Sequence, residues 1–343
     1  MITIKKIAEL ANVSAGTVDR IIHKRGQVSQ ENIDKVNEII EKYEYKKNIF
    51  ASNLAFNKKF KIAVFLPNHK SLEYWKLPIV GIEKAAKEFI NFGFSIDYYY
   101  YNYDLLSFKK SALELLKSDY QGVLFAPIFY EESLIFLKEF QKKNGHVIMI
   151  DSDIKEIPNK YFIGQDAFQS GFLSGKLLSL SLTDKSTTIL IIKITREVEI
   201  TSIYLERIKG FYSFFENKKE YKNIKFKEIK IKESDNIELS TTIFEDVDSI
   251  FVPNSRAYII AEFIKKNNLK GIKITGYDLL KRNIDFLTSD VISFLINQNP
   301  EEQGFLGVSH LYKKLVLKEE INSENYMPLE IIVKENFIAS KLI

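Results

Sequence analysis

The chain has 343 residues, 45% of them hydrophobic and 27% charged, and its 49 Lys and Arg against 45 Asp and Glu leave a formal charge of +4. That length holds a small module plus a larger body of one or two lobes, and the composition is that of an ordinary soluble globular protein. No apolar run approaches the ~20 residues that span a bilayer, "MITIKKIAEL" lacks the continuous apolar stretch of a signal peptide, and the absence of cysteine excludes disulfides and thiolate metal sites, so a cytoplasmic protein without cofactor is expected.

The charge is unevenly placed. Residues 1–60 hold 11 Lys and Arg against 7 Asp and Glu, a surplus of four that equals that of the whole chain. A basic end of this kind is the footprint of nucleic-acid binding. Within it, Thr3 can cap a helix over Ile4–Ala11, with Ile7, Leu10 and Ala11 on one face. Asn12 supplies a turn, because its side chain tolerates a left-handed backbone. Ser14 can cap a second helix carrying Val18, Ile21 and Ile22, and a third runs from Ser29 to about Tyr43. Helix, short turn, helix and supporting helix is the arrangement whose second helix enters the major groove. A three-helix bundle that binds protein has the same pattern.

From Lys61 strands and helices alternate: "KIAVFLP", a helix near 78–90, "FSIDYYYY", a helix around 107–117, "GVLFAP", a helix over 131–143 and "VIMID". A second series has helix 166–181, "TTILIIKI", helix 201–217, "KFKEIKIK", helix 236–245, "SIFVP", helix 256–267 and "GIKITGYD". This alternation predicts parallel sheets covered on both faces, and two runs of it predict two lobes. Ligands of open α/β sheets sit at the carboxyl ends of strands. Those ends carry Asp151, Asn254, Asp278 and Gln298, which can converge on one polar ligand between the lobes, although Asp and Asn are also routine turn residues.

The segment "TIKKIAELANVSAGTVDRIIHKRGQVSQENIDKVNEIIEKYEYKKNIFASNLA" resembles the DNA-binding domain of the lactose-repressor (LacI/GalR) family, without a gap over more than fifty residues. The resemblance implies that Ala15, Gly16 and Arg20 face base edges and that Ser14 and Thr17 sit at phosphates. Small residues at 15 and 16 let the helix approach closely, leaving Arg20 to read a guanine. Asp19 stands where the family usually has Ser; it can accept from a cytosine amino group or pair with His23 one turn on. Residues 48–54, "NIFASNL", align with the family's hinge, whose Leu (here Leu54) wedges into the minor groove. Ser52 and Lys47 replace the hinge's usual Arg and Pro, and Leu54 can alternatively pack on the body as a linker residue.

The body resembles the periplasmic sugar-binding-protein-like effector domain of the same family. The implied ligand residues are Asp151, Arg207 in "YLERIKGF", Asn254, Asp278 and Gln298, with Tyr74 and Trp75 of "YWKLPIVGIEKAAKEF" stacking on a sugar face or belonging to the core. Arg256, two residues after Asn254, adds a cation that favours an acidic ligand such as a uronic acid or sugar phosphate.

The expected architecture is therefore an all-α helix-turn-helix domain (1–46), a hinge (47–60) and an α/β two-lobed periplasmic-binding-protein-like domain with parallel sheets (61–343). By the family pattern, lobe 1 takes about 61–162 and 290–321, and lobe 2 about 163–289 and 322–343, with crossings near 163, 289 and 322. The implied partners are a double-stranded DNA operator, a sugar or sugar-acid effector and a second copy of the chain, with no membrane. No phosphate-binding loop, nucleophile elbow, zinc-protease helix or dinucleotide fingerprint is present, so an enzyme is not expected. A solute-binding protein without regulatory role, and a DNA-binding protein whose body has lost its ligand, are the alternatives.

Overall fold

The computed structural model describes residues 2–22, 26–43, 59–70, 73–89, 93–182, 187–195, 202–216, 218–233, 237 and 239–340. They fall into a small helical unit, divided at Phe56, and a larger body from Asn57.

The helical unit comprises α1 (Ile4–Ala11), α2 (Ala15–Ile22) and α3 (Gln30–Lys42). Thr3 Oγ1 accepts from the Lys6 N–H at 3.3 Å, one of the orphan donors of the first turn. Asn12 ends α1 in the left-handed region, at φ 53° and ψ 44°, and its N–H returns to the carbonyls of the last turn. Apolar residues at helical spacing close a small core of Ile7, Ala8, Ala11, Val18 and Val36.

The body holds two six-stranded sheets. Its strands are β1 (Phe60–Pro67), β2 (Phe94–Tyr101), β3 (Gly122–Phe125), β4 (His146–Ile150), β5 (Lys160–Gly164), β6 (Thr187–Thr195), β7 (Ile224–Lys232), β8 (Ser249–Phe251), β9 (Lys273–Tyr277), β10 (Phe294–Asn297), β11 (Glu324–Tyr326) and β12 (Glu330–Ile332). The first sheet runs β11-β5-β4-β3-β1-β2 and the second β12-β10-β9-β8-β6-β7. Every pairing is parallel except β10 with β12. The central strands are largely apolar and, apart from half-buried Lys61 near the start of β1, buried along their length, as helices on both faces require.

Helices α4 (Lys76–Phe89), α5 (Leu105–Leu116), α6 (Tyr130–Gln141) and α11 (Pro300–Tyr312) serve the first lobe. Helices α7 (Ala167–Ser179), α8 (Ser202–Phe215), α9 (Ala257–Lys266), α10 (Lys281–Thr288) and α12 (Lys334–Ser340) serve the second. Each lobe has its own aromatic centre: Phe65 stacks on Phe125 at 5.3 Å in the first, and Phe211 on Phe251 at 4.3 Å in the second.

Two expectations are corrected. The chain passes between sheets later than 163, 289 and 322: β5 keeps residues to Gly164 in the first sheet, and β10 holds 294–297 in the second. β11, at 324–326, returns to the first sheet before β12 joins the second. The reason is pairing: β10 is hydrogen-bonded to β9 on one side and β12 on the other, so residues 290–297 cannot belong to lobe 1. The expected helix over 236–245 is, in its described part, a 3₁₀ turn at Thr241–Phe244 that Ser240 caps. Among the described residues no helix is long and apolar enough to cross a membrane.

Candidate functional site

In the helical unit the small, polar surface of α2 is turned outward. Ser14, Ala15, Gly16 and Arg20 are exposed, Thr17 is half-buried, and Val18 is buried beneath them. Ser14 Oγ accepts from the Thr17 N–H at 3.0 Å and lies 2.9 Å from the Thr17 hydroxyl. A Cβ built on Gly16 would meet only Ser14 Oγ, at 3.7 Å, so nothing in the unit itself requires glycine there. What that smallness leaves is open space over the first turn of α2, whose N–H groups lack intrahelical acceptors and suit an anion. Leu54, with the rest of residues 47–58, lies outside the described residues, as does His23, one of the two partners considered for Asp19.

In the body, all eight side chains expected to bind ligand line one cavity between the lobes: Tyr74, Trp75, Asp151, Arg207, Asn254, Arg256, Asp278 and Gln298. Asp151 follows β4 and Asp278 follows β9, and both have a left-handed backbone, at φ 68° and 71°. Asp tolerates this region better than most residues, and the turn aims each carboxylate into the cleft. The strand-end rule thus places one carboxylate on each lobe.

These groups form chains of hydrogen bonds. The Arg207 guanidinium, only 3% exposed, donates to Gln298 Oε1 at 2.5 Å and to the Pro253 carbonyl at 3.1 Å, and lies 3.8 Å above the Tyr277 ring. Gln298 Nε2 in turn donates to both oxygens of Asp278, at 3.1 and 2.9 Å. On the other lobe the Tyr74 hydroxyl donates to Asp151 Oδ1 at 2.7 Å. Gln303 connects the two halves. Its Oε1 accepts from the Asp151 N–H at 2.9 Å, and its Nε2 donates to the Gln298 carbonyl at 2.8 Å. Asn254 Nδ2 is fixed by the Ile194 carbonyl at 2.7 Å.

Burial dominates the electrostatics. It raises the Asp278 carboxyl to about 7, against the Arg207 charge and the Gln298 hydrogen bond that favour ionisation; Asp151 across the cavity pushes it further up. Burial likewise raises Asp151, while the Tyr74 hydroxyl, Arg207 and Ser152 pull it back. Tyr74 is held well above its ordinary value by burial and by both aspartates, so its hydroxyl stays protonated and serves as a hydrogen-bond donor at neutral pH.

Two expectations change on contact with the geometry. Trp75 is 2% exposed and sits in the first lobe's core, its Nε1 donating to the Tyr103 hydroxyl at 3.1 Å. It is a wall of the cavity anchored in the core, so the two readings of this residue converge. Arg256 is not a spare cation: its Nε lies 2.6 Å from Glu233 Oε2, with both side chains largely buried, at 13% and 17% exposure. Sequence reading missed Tyr103, Ile128, Thr195, Ile203, Tyr204 and Ser255 in the lining, and Glu233 behind it. Tyr103 and Glu233 follow the carboxyl ends of β2 and β7, so the strand-end rule applied to every strand would have reached them.

A helix-turn-helix unit followed by a two-lobed body with a polar interlobe cavity defines a class of bacterial regulators. Residues 3–48 match the family model of bacterial regulatory proteins, lacI family, and residues 62–319 match that of the periplasmic binding protein domain. A crystal structure of a chain from Bacteroides fragilis assigned to the LacI transcriptional regulators superposes with TM-score 0.76 and 30% identity, covering 82% of this chain and 99% of that one. The chain belongs to the lacI family.

The uncharacterized HTH-type transcriptional regulator YkvZ of Bacillus subtilis is 30% identical over 171 residues, 50% of this chain and 51% of that protein. DegA, an HTH-type transcriptional regulator of the same organism, is 28% identical over 53% of each chain. The matched segment thus spans about half the length of these relatives. GanP, a glucose-galactose binding protein of Geobacillus stearothermophilus, shares the fold of the body, with TM-score 0.68 and 21% identity over 81% of this chain and 99% of that one.

Proposed function

We propose that the protein is a DNA-binding transcriptional regulator of the repressor type, whose operator affinity is set by a sugar held between the two lobes. The observation that carries this reading is the convergence of eight side chains, from both lobes, on one cavity with a carboxylate on each side. Carboxylates accept from sugar hydroxyls, and amide and guanidinium groups donate to them. Ser14, Ala15, Gly16, Thr17 and Arg20 form the DNA-reading face, with Leu54 as minor-groove wedge. The working form is a cytoplasmic homodimer, because a near-palindromic operator is read by a two-fold protein.

A sugar touching Asp151 and Tyr74 on one lobe and Asp278, Arg207 and Asn254 on the other stabilises one lobe arrangement over others. Its effect on DNA is the difference in that stabilisation between the DNA-bound and free forms. The test is selection of genomic fragments by the purified chain, followed by titration of the selected fragment with and without a panel of sugars. A two-fold operator whose affinity one sugar changes is the expected result. Sugar binding with no selected fragment would make the protein a solute-binding module instead.

A further inference from the structure

A second cavity lies beside the first and shares the wall that Asp151 and Ile203 form. The loop after β4 and the start of α6 supply it from the first lobe, and the starts of α7 and α8 from the second. Gln165 enters it from the crossing after β5.

Its charge is one-sided. Five carboxylates line it, Asp151, Asp153, Glu156, Asp166 and Glu206, against a single lysine, Lys155. Two further lysines reach these acids from outside the lining. Lys160 pairs with Asp153, and Lys209 stands 3.5 Å from Glu206 with both side chains exposed, an arrangement worth little in water. Asp166 Oδ1 accepts from the Gln169 N–H at 2.9 Å, so the partial positive charge at the start of α7 is already answered. An excess of negative charge remains among the described residues.

A group of carboxylates is by itself an ordinary solvated surface, but here Gln165 adds an acceptor that lacks a donor. This side chain is 3% exposed. Its nitrogen is spent on the Asn297 and Pro328 carbonyls, and its Oε1 has no hydrogen-bond partner among the described residues. With the nitrogen turned to the crossings, the oxygen is what the side chain has left to offer the cavity, and a buried acceptor calls for a donor. Aromatic rings complete the wall: Tyr130 and Tyr326 are exposed, and Tyr326 meets Phe162 edge-on at 6.1 Å. Ring faces beside carboxylates attract an organic cation. Among the described residues no three acidic or histidine side chains come together as a metal site, so the negative charge is spread along the cavity rather than focused at a point.

We propose that this second cavity binds an aliphatic di- or polyamine, with one ammonium donating to Gln165 Oε1, carboxylates of both lobes sharing its charges, and its methylene chain lying against Tyr130 and Tyr326. The site does not depend on what the first cavity holds. A quaternary ammonium such as choline suits the rings and the carboxylates equally well, yet it has no N–H for the Gln165 oxygen. That difference gives the site its preference.

The experiment is isothermal titration calorimetry of the full chain with putrescine, spermidine, choline and magnesium at physiological ionic strength, where diffuse attraction is screened. At least one of the two amines is expected to bind saturably, and at least tenfold more tightly than choline. Asp166→Asn combined with Glu206→Gln keeps a capping oxygen at 166 and removes two charges from the second lobe's side. It is expected to weaken amine binding at least tenfold with little change in melting temperature. Glu206→Gln alone, at an exposed side chain, takes its place if the double variant does not fold. Asp278→Asn, which alters the first cavity only, separates the two sites: amine binding that this variant abolishes while the others spare it belongs to the first cavity and overturns the inference. Choline binding as tightly as the amines overturns it too, because the Gln165 oxygen then selects nothing. Magnesium binding that the same substitutions abolish makes the acids a metal site, and saturable binding by neither amine leaves the cavity without this function; either result overturns the proposal.

Discussion

The side-chain amide of Gln165 donates to the Asn297 carbonyl at 2.8 Å, and also to the Pro328 carbonyl at 2.8 Å. The three residues mark the three passages of the chain between sheets: Gln165 just after β5, Asn297 at the end of β10 and Pro328 before β12. One buried amide therefore ties all three crossings together, where a relative movement of the lobes has to be absorbed.

Replacing Gln165 with Leu keeps the volume and removes both hydrogen bonds, leaving two carbonyls short of a donor. Each such loss costs about 1 kcal/mol, more where the remaining group cannot reach water. We expect Gln165→Leu to lower unfolding stability by about 1–3 kcal/mol in urea titrations. It should also change how strongly ligand alters DNA affinity. A variant that loses stability yet keeps the full ligand response would confine Gln165 to a structural role.

Asp278 makes stability depend on pH with a definite sign. Its folded value, raised to about 7, lies above the 3.8 of an unperturbed Asp, so the folded state holds its proton more tightly than the unfolded chain. Its contribution is fully present below about pH 4 and is lost as pH rises through 7. His146 and His310 oppose this, because burial lowers both and they gain a proton on unfolding in acid. Asp278→Asn removes only the first effect. Between pH 5 and 8 the melting temperature of the wild type should fall relative to that of the variant, and parallel pH profiles would show that Asp278 is ionised throughout.

How much of this could be read in advance differs between the two ends of the chain. Asp151, Asn254, Asp278 and Gln298 were legible because parallel strands with apolar bodies stop at a polar residue, and strand ends face the same side of the sheet. Arg207 was not legible in that way. It lies on a helix, and it took the family resemblance to single it out. Glu233 stands at a strand end, after β7, but nothing local shows its partner: that is Arg256, 23 residues on, which only the folded sheet brings within 2.6 Å. The crossing points were misplaced for a related reason, since "VISFLINQ" reads as a strand in either sheet and only its pairing with β9 and β12 assigns it.

On α2 the expectation is a separation of stability from recognition. Gly16 has open space where a Cβ would go, and alanine is the better helix former by up to roughly 1 kcal/mol. Gly16→Ala should therefore raise or preserve the melting temperature of the helical unit while weakening or redirecting operator binding through the added methyl. Arg20→Lys keeps the charge but loses the bidentate fork, and should cost about 1–3 kcal/mol of discrimination at one base pair. Fragment selection with each variant reads both effects; unaltered operator preference in both would remove α2 as the reading helix.

Gly210 explains why an arginine three residues earlier reaches the cavity at all. A Cβ at Gly210 would lie 1.9 Å from the Phe168 carbonyl oxygen, and one at Gly171 would lie 1.8 Å from that of Arg207. Helices α7 and α8 thus touch backbone to backbone through reciprocal glycines, and α8 is held close enough to the sheet for Arg207 to lie over Tyr277 and reach Gln298. Neither neighbour is the movable end of a side chain, so alanine at 210 must push the helices apart. Such overpacking costs about 1–3 kcal/mol, and it displaces the guanidinium one turn away. Gly210→Ala should show both a lowered unfolding midpoint and weakened ligand binding at a temperature where it remains folded, whereas a loss of stability with ligand affinity intact would mean that Arg207 is positioned by Tyr277 and Gln298 rather than by the helix contact.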